Sequence, residues 1–164
     1  MGKSIYFAAP LFSKAEKDFN LSLAIALHHP NWQIFLPQTE CAGSHEAIFH
    51  TCVKGVEEAD LLLAILDGAD ADSGTCWEIG YAFARRIPIV GLRTDFRGTG
   101  DSGALNLMLK YACTTLILTD GAATISEIAQ PLMTALMTLL HLPEPAHSRD
   151  RPDPFPSPRG DSEP

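Results

Sequence analysis

The segment from Asp67 to Glu78, DGADADSGTCWE, places four carboxylates within twelve residues. Carboxylates this close raise one another's pKa values at a cost in energy, which a catalytic or binding role explains more readily than folding does. Glu78 is the candidate nucleophile. A carboxylate in a partly apolar site suits attack on a sugar carbon, because the transition state resembles an oxocarbenium ion. Placed in the first turn of a helix, Glu78 would feel the positive end of the macrodipole, and the expectation is therefore an ionised side chain. A plainer reading stands beside this one. Thr75-x-x-Glu78 fits a capping box in which Glu78 only closes a helix end. On these residues alone, capping and catalysis both stay open.

Whether such a carboxylate can act depends on the elements that carry it. Ser4–Ala9 reads as a first strand ended by Pro10. Ser13 caps a helix to about His28, with Phe19, Leu23, Ala26 and Leu27 on one face. Trp32–Leu36 is a second strand, halted at Pro37. A helix opens at Ser44 or His45 and runs to Ala59. Leu61–Leu66 is a continuous apolar run, the mark of a strand buried on both faces. A helix from Thr75 to Arg86, a strand over Pro88–Leu92, a short helix near Leu105–Tyr111, a strand over Thr114–Leu118 and a helix over Ile125–His141 complete the order. Five strands joined by helical crossovers predict an α/β fold with a parallel sheet covered on both faces. Ligands of such sheets sit beyond the carboxyl ends of the strands, just after Ala9, Leu36, Leu66 and Leu92.

Those strand ends carry further candidates. The first strand contains Tyr6, and Phe12 follows its end; Phe12 could stack on a planar base or simply pack in the core. The turn after the first strand, AAPLF, carries neither GxGxxG nor GxxxxGK[ST], so the dinucleotide and P-loop fingerprints are absent where this fold would place them. Asn106 stands at the start of a short apolar helix, where an Asn is usually a cap and could instead bind sugar hydroxyls.

The 164 residues suit one domain, with a net charge of −8 and 46% hydrophobic residues. That charge repels phosphate backbones, which argues against a nucleic-acid polymer as partner and leaves uncharged nucleosides open. No secretory leader or apolar run of membrane-spanning length is visible, and the expectation is a cytoplasmic protein without membrane association. Cys41, Cys52, Cys76 and Cys113 form no CxxC pair and no zinc-finger spacing, so free thiols are expected, with no metal and no cofactor. Residues 143–164 hold seven of the twelve prolines and almost no aliphatic residues. The expectation is a folded domain over 1–142 and a Pro-rich disordered tail over 143–164.

Three stretches together resemble the nucleoside 2-deoxyribosyltransferase family: IYFAAPLF, the segment EEADLLLAILDGADADSGTCWEIGYAFARRIPIVGL, and LNLM. The specific piece is D-S-G-T-x-x-E-I-G-Y-A after an apolar strand ending in Asp-Gly. The resemblance implies a flavodoxin-like three-layer sandwich with a five-stranded sheet. It also implies a retaining exchange of bases on 2'-deoxyribonucleosides, with free purines or pyrimidines as acceptors. In that scheme Glu78 attacks the anomeric carbon, and Tyr6 positions Glu78 through a hydrogen bond. Asp72 holds sugar hydroxyls, while Asn106, with Met108 nearby, is donated across a subunit interface, which implies a homo-oligomer with shared sites. Gln38 or Glu40 falls near the base, and Gly74 belongs to the same motif as Asp72. One position departs from the pattern: family members carry an Asp on the second helix where this chain has Cys52. That leaves proton delivery to the leaving base without its usual residue, and Asp67 is the candidate to compensate.

Two other functions compete. A related 5'-monophosphate N-hydrolase would use water as acceptor. Its relatives tend to have Ser in place of Asp72, and Gly, Ser and Arg after the first strand, where this chain has AAPLFSK. Asp72 would repel a phosphate dianion by ~4 kcal/mol for unit charges 4 Å apart at an effective dielectric of 20. A non-catalytic nucleotide sensor would have no need of Tyr6 and Glu78 together.

Overall fold

The computed structural model describes residues 2–95, 97 and 105–141. The tail expected over 143–164 and most of the loop after Thr94 lie outside these residues. The strands are β1 (Lys3–Ala8), β2 (Trp32–Phe35), β3 (Leu61–Ile65), β4 (Ile89–Arg93) and β5 (Thr115–Leu118). The helices are α1 (Lys14–Ala26), α2 (Pro37–Glu40), α3 (His45–Glu57), α4 (Ser73–Ala84), α5 (Leu107–Ala112) and α6 (Ile125–His141). All five strands pair in parallel in the order β2-β1-β3-β4-β5, the flavodoxin-like arrangement. The direction of winding reverses between β1 and β3, and the crevice beyond their carboxyl ends is where this topology binds ligands.

Strand alternation divides the core into two layers. Ile5 and Phe7 of β1 point toward α1 and α6, where they meet Leu23, Leu27, Leu132 and Leu136. Tyr6 and Ala8 point the other way, toward Val56 of α3 and Ile79 and Ala82 of α4. Leu61–Ile65 is buried throughout, as a central strand with both faces covered must be. α1 opens with a capping box between Ser13 and Glu16.

The structure differs from the sequence expectation at three places. Ala26 faces outward and Ala24 packs on the core instead, since the face of α1 is set by Leu23 and Leu27. A short helix, α2, follows β2 directly; the strand ends before Pro37 as expected, and Pro37 also starts this helix, at the position where its missing N–H costs nothing. α4 begins at Ser73, two residues before the expected Thr75, with Asp72 as its N-cap.

Candidate active site

Tyr6 and Glu78 meet at the switch point. The Tyr6 hydroxyl donates to Oε1 of Glu78 at 2.5 Å. The Tyr6 ring is 0% exposed and stacks on Phe35 of β2, with centroids 5.3 Å apart. Gly55 of α3 makes room for it: a Cβ there would stand 2.9 Å from a Tyr6 ring carbon and 3.0 Å from one of Phe35. Glu78 lies in the second turn of α4, between the buried Thr75 and Ile79. Its Oε2 has no partner among the described residues.

The environment corrects two expectations for Glu78. It caps nothing, because the α4 terminus is satisfied by Asp72. It is not held ionised by the helix terminus either. Burial raises its pKa from 4.5 to about 7, against the lowering effect of the Tyr6 hydrogen bond and with a further rise from the Asp72 charge. The first-turn argument fails because the helix starts two residues earlier, which puts Glu78 about half a turn deeper, in the second turn, where macrodipole effects fade. The Tyr6 phenol is pushed well above its ordinary range, first by burial and then by the Glu78 charge and hydrogen bond, with a smaller contribution from Cys52. It therefore stays protonated and remains a donor.

Asp72 uses one oxygen for the fold. Oδ2 accepts from the Thr75 amide at 2.9 Å and the Thr75 hydroxyl at 3.3 Å, while Oδ1 has no partner among the described residues. Gly74 permits this geometry, since a Cβ there would sit 3.0 Å from Oδ2. Asp72 and Glu78 thus lie one helical turn and a half apart on the same element, close enough for the first to raise the pKa of the second.

The other candidates take separate places. Asp67 is engaged at both oxygens: Oδ1 accepts from the Thr94 and Asp95 amides, and Oδ2 from the Thr94 hydroxyl at 2.5 Å. It clamps the end of β3 to the end of β4. Gln38 ties α2 to α1, donating to the Lys17 carbonyl and accepting from Asn20. Phe12 is 78% exposed at the start of α1 and is not a core residue. Asn106 caps α5, its Oδ1 accepting from the Met108 amide at 2.9 Å. Neither Asn106 nor Met108, which is 66% exposed, bonds to the Tyr6–Glu78 pair within the chain. Cys52 of α3 lies within reach of the Tyr6 hydroxyl, and its thiol is 3.5 Å from that of Cys41.

One contributor was not legible in the sequence. Arg93 ends β4 with 3% exposure, and its guanidinium donates to the carbonyls of Leu66 and Gly68. It holds the loop that leads to Asp72. A cation closing the otherwise apolar run IVGLR was the available signal. Gly68 turns that loop at φ +113°, where a Cβ would stand 2.7 Å from the Asp70 carbonyl oxygen. The groove between α1 and β2, lined by Leu21, Ile25, Trp32 and Ile34, contains no comparable arrangement of carboxylates. Among the described residues no group of three or more His, Cys, Asp or Glu is placed to hold a metal ion.

A doubly wound sheet that presents a tyrosine-held carboxylate at its switch point defines a flavodoxin-like α/β protein with a carboxylate in its crevice. Within that class the chain belongs to the nucleoside 2-deoxyribosyltransferase family, whose model matches residues 5–120. Solved structures share the fold. A conserved protein from Enterococcus faecalis V583 aligns with a TM-score of 0.63 at 28% identity, covering 80% of this chain and 99% of that one. A 2-desoxiribosyltransferase from Leishmania mexicana aligns at 0.60 and 19% identity, over 86% and 99% of the two chains. A CMP N-glycosidase from Clostridium botulinum aligns at 0.61 and 21% identity, over 81% and 99%. No curated protein matches the sequence.

Proposed function

We propose that the protein exchanges the bases of 2'-deoxyribonucleosides through a covalent deoxyribosyl ester on Glu78. The observation that carries this reading is the 2.5 Å hydrogen bond from Tyr6 to Glu78, which fixes one carboxylate oxygen and leaves the other free. In the first half-reaction Oε2 bonds to the anomeric carbon as the C–N bond breaks, and its electron pair leaves with the base, which takes up a proton. In the second, a ring nitrogen of the incoming base bonds to that carbon, loses its proton, and the ester electron pair returns to the carboxylate. Two inversions give net retention. Asp72 Oδ1 is placed to accept hydrogen bonds from sugar hydroxyls.

The same reading makes the protein a homo-oligomer. Asn106, Met108 and Tyr111, the last 76% exposed, lie on the outer side of α5, available to a neighbouring copy rather than to Glu78 of their own chain. No described helix is long and apolar enough to cross a membrane.

The test is capture of the ester. Thymidine is mixed with the protein in the absence of an acceptor base and the reaction is quenched in acid. Peptide mass mapping is expected to find a deoxyribosyl group on Glu78 and nowhere else. Turnover without any such adduct, or an adduct on another residue, contradicts the reading.

Tyr6 is a positioning residue, and its role has a pH signature. Glu78 must be ionised to attack, so kcat/KM is expected to rise with pH through an apparent pKa near 7. The Tyr6 hydrogen bond lowers that pKa, so Tyr6→Phe moves the acid limb to higher pH. The ring is retained, and the stability loss is about 1 kcal/mol. An unmoved limb in the variant would show that the hydroxyl does not act on Glu78.

A further inference from the structure

The reading above leaves two thiols beside the nucleophile unused. Cys41 closes α2 and Cys52 lies on α3, and both are free and half-buried. Their sulfurs are 3.5 Å apart. Cys52 reaches the Tyr6 hydroxyl, and Cys41 is near enough to Glu78 to feel its charge. The two thiols, the phenol and the carboxylate form one contiguous cluster. A disulfide needs its sulfurs about 2 Å apart, so closure requires roughly 1.5 Å of approach. The link between α2 and α3 can supply it, since residues 41–44 are outside both helices and include Gly43 at φ +104°.

We propose that Cys41 and Cys52 form an oxidisable dithiol site, which a hydroperoxide closes to a disulfide that switches off the adjoining Tyr6–Glu78 pair. One thiol sulfur gives two electrons to the O–O bond of the peroxide, becoming a sulfenic acid and releasing water or an alcohol. The other sulfur then attacks it, the S–S bond forms, and a second water leaves with the remaining thiol proton. Closure draws the Cys52 sulfur toward Cys41 and away from the Tyr6 hydroxyl, and it pins α2 to α3 beside the ring that holds Glu78. Burial, then the Cys52 thiol, then the Glu40 and Glu78 charges push the Cys41 thiol up to about 12. Cys41 is therefore a slow nucleophile toward oxidants, and closure requires sustained rather than brief oxidation. What is switched off rests on the proposed function; the disulfide itself does not.

The chain has no Lys or Arg between Asp18 and Lys54, so trypsin leaves both cysteines on peptide 18–54 and the other two elsewhere. The full-length protein is treated with hydrogen peroxide, alkylated, digested and weighed, and base exchange is assayed in parallel. Peptide 18–54 is expected to lose two hydrogens and escape alkylation while exchange falls tenfold or more, with dithiothreitol reversing both. Cys41→Ser is expected to keep its exchange activity under the same treatment. The proposal is overturned if peptide 18–54 never forms the internal disulfide, if the disulfide forms with exchange intact, or if Cys41→Ser is inactivated equally. A reduced protein without exchange activity sinks the functional reading alone, and the mass of peptide 18–54 then decides whether the dithiol site exists.

Discussion

Glu78→Ala is expected to lower base exchange by about a thousandfold or more while leaving a folded protein, because in the proposed mechanism it deletes the atom that bonds to the sugar. Glu78→Gln separates the chemistry from the fold. The amide oxygen still accepts from the Tyr6 hydroxyl, so the ring and α4 keep their positions, yet a neutral amide cannot form the ester. Its stability should also reveal the unusual carboxyl. The folded protein holds the Glu78 pKa above its ordinary 4.5, at about 7, so the folded state favours the protonated form. The stability this contributes is fully present below about pH 4.5 and is lost as pH rises through 7, on the order of 3 kcal/mol. Gln does not titrate. Glu78→Gln is therefore expected to unfold at higher denaturant than wild type at pH 8 and at the same denaturant at pH 4. Wild-type exchange in either variant, or a Gln variant no more stable than wild type at pH 8, contradicts the account of Glu78.

The second large effect concerns substrate charge. Oδ1 of Asp72 can accept from a sugar hydroxyl, whereas an ionised phosphate offers only acceptors and adds like charge. The protein is expected to use thymidine far better than its 5'-monophosphate. Asp72→Ser keeps the start of α4, since a Ser hydroxyl also caps a helix, but it removes the charge. Thymidine kcat/KM should fall in the variant, and its margin over the monophosphate should narrow by tenfold or more, within the ~4 kcal/mol that two unit charges exert 4 Å apart at an effective dielectric of 20. The measurement is kcat/KM for both substrates in both proteins at one ionic strength. A wild-type preference for the monophosphate would move the reading to N-glycoside hydrolysis of nucleotides.

What the sequence reveals about this site follows the range of the forces involved. The strands were legible because burial on both faces writes itself as continuous apolar runs, such as Leu61–Leu66. The DSGT-x-x-E segment was legible as a helix start at the ligand edge, because caps and strand ends are local. Which residue caps was not: Asp72 and Thr75 are both competent, and only the fold back of the Asp72 carboxylate over Gly74 selects one. The ionisation of Glu78 depends on depth, which the two-residue shift in the helix start changed. The pairing of Tyr6 with Glu78 spans 72 positions and was read from family resemblance alone. The roles of Asp67 and Arg93 depend on how two strand ends are tied, and the proximity of Cys41 to Cys52 depends on how α2 meets α3. The cation closing IVGLR is the one local hint to the first, and no local pattern encodes the second.

The central claim is that this chain moves a deoxyribosyl group from one base to another. It is tested most directly by incubating the purified, reduced protein with thymidine and adenine and separating the products by chromatography. The account predicts deoxyadenosine and thymine in equal amounts, with only the β-anomer of the new nucleoside. Free deoxyribose and thymine without deoxyadenosine, or unchanged thymidine, would contradict it.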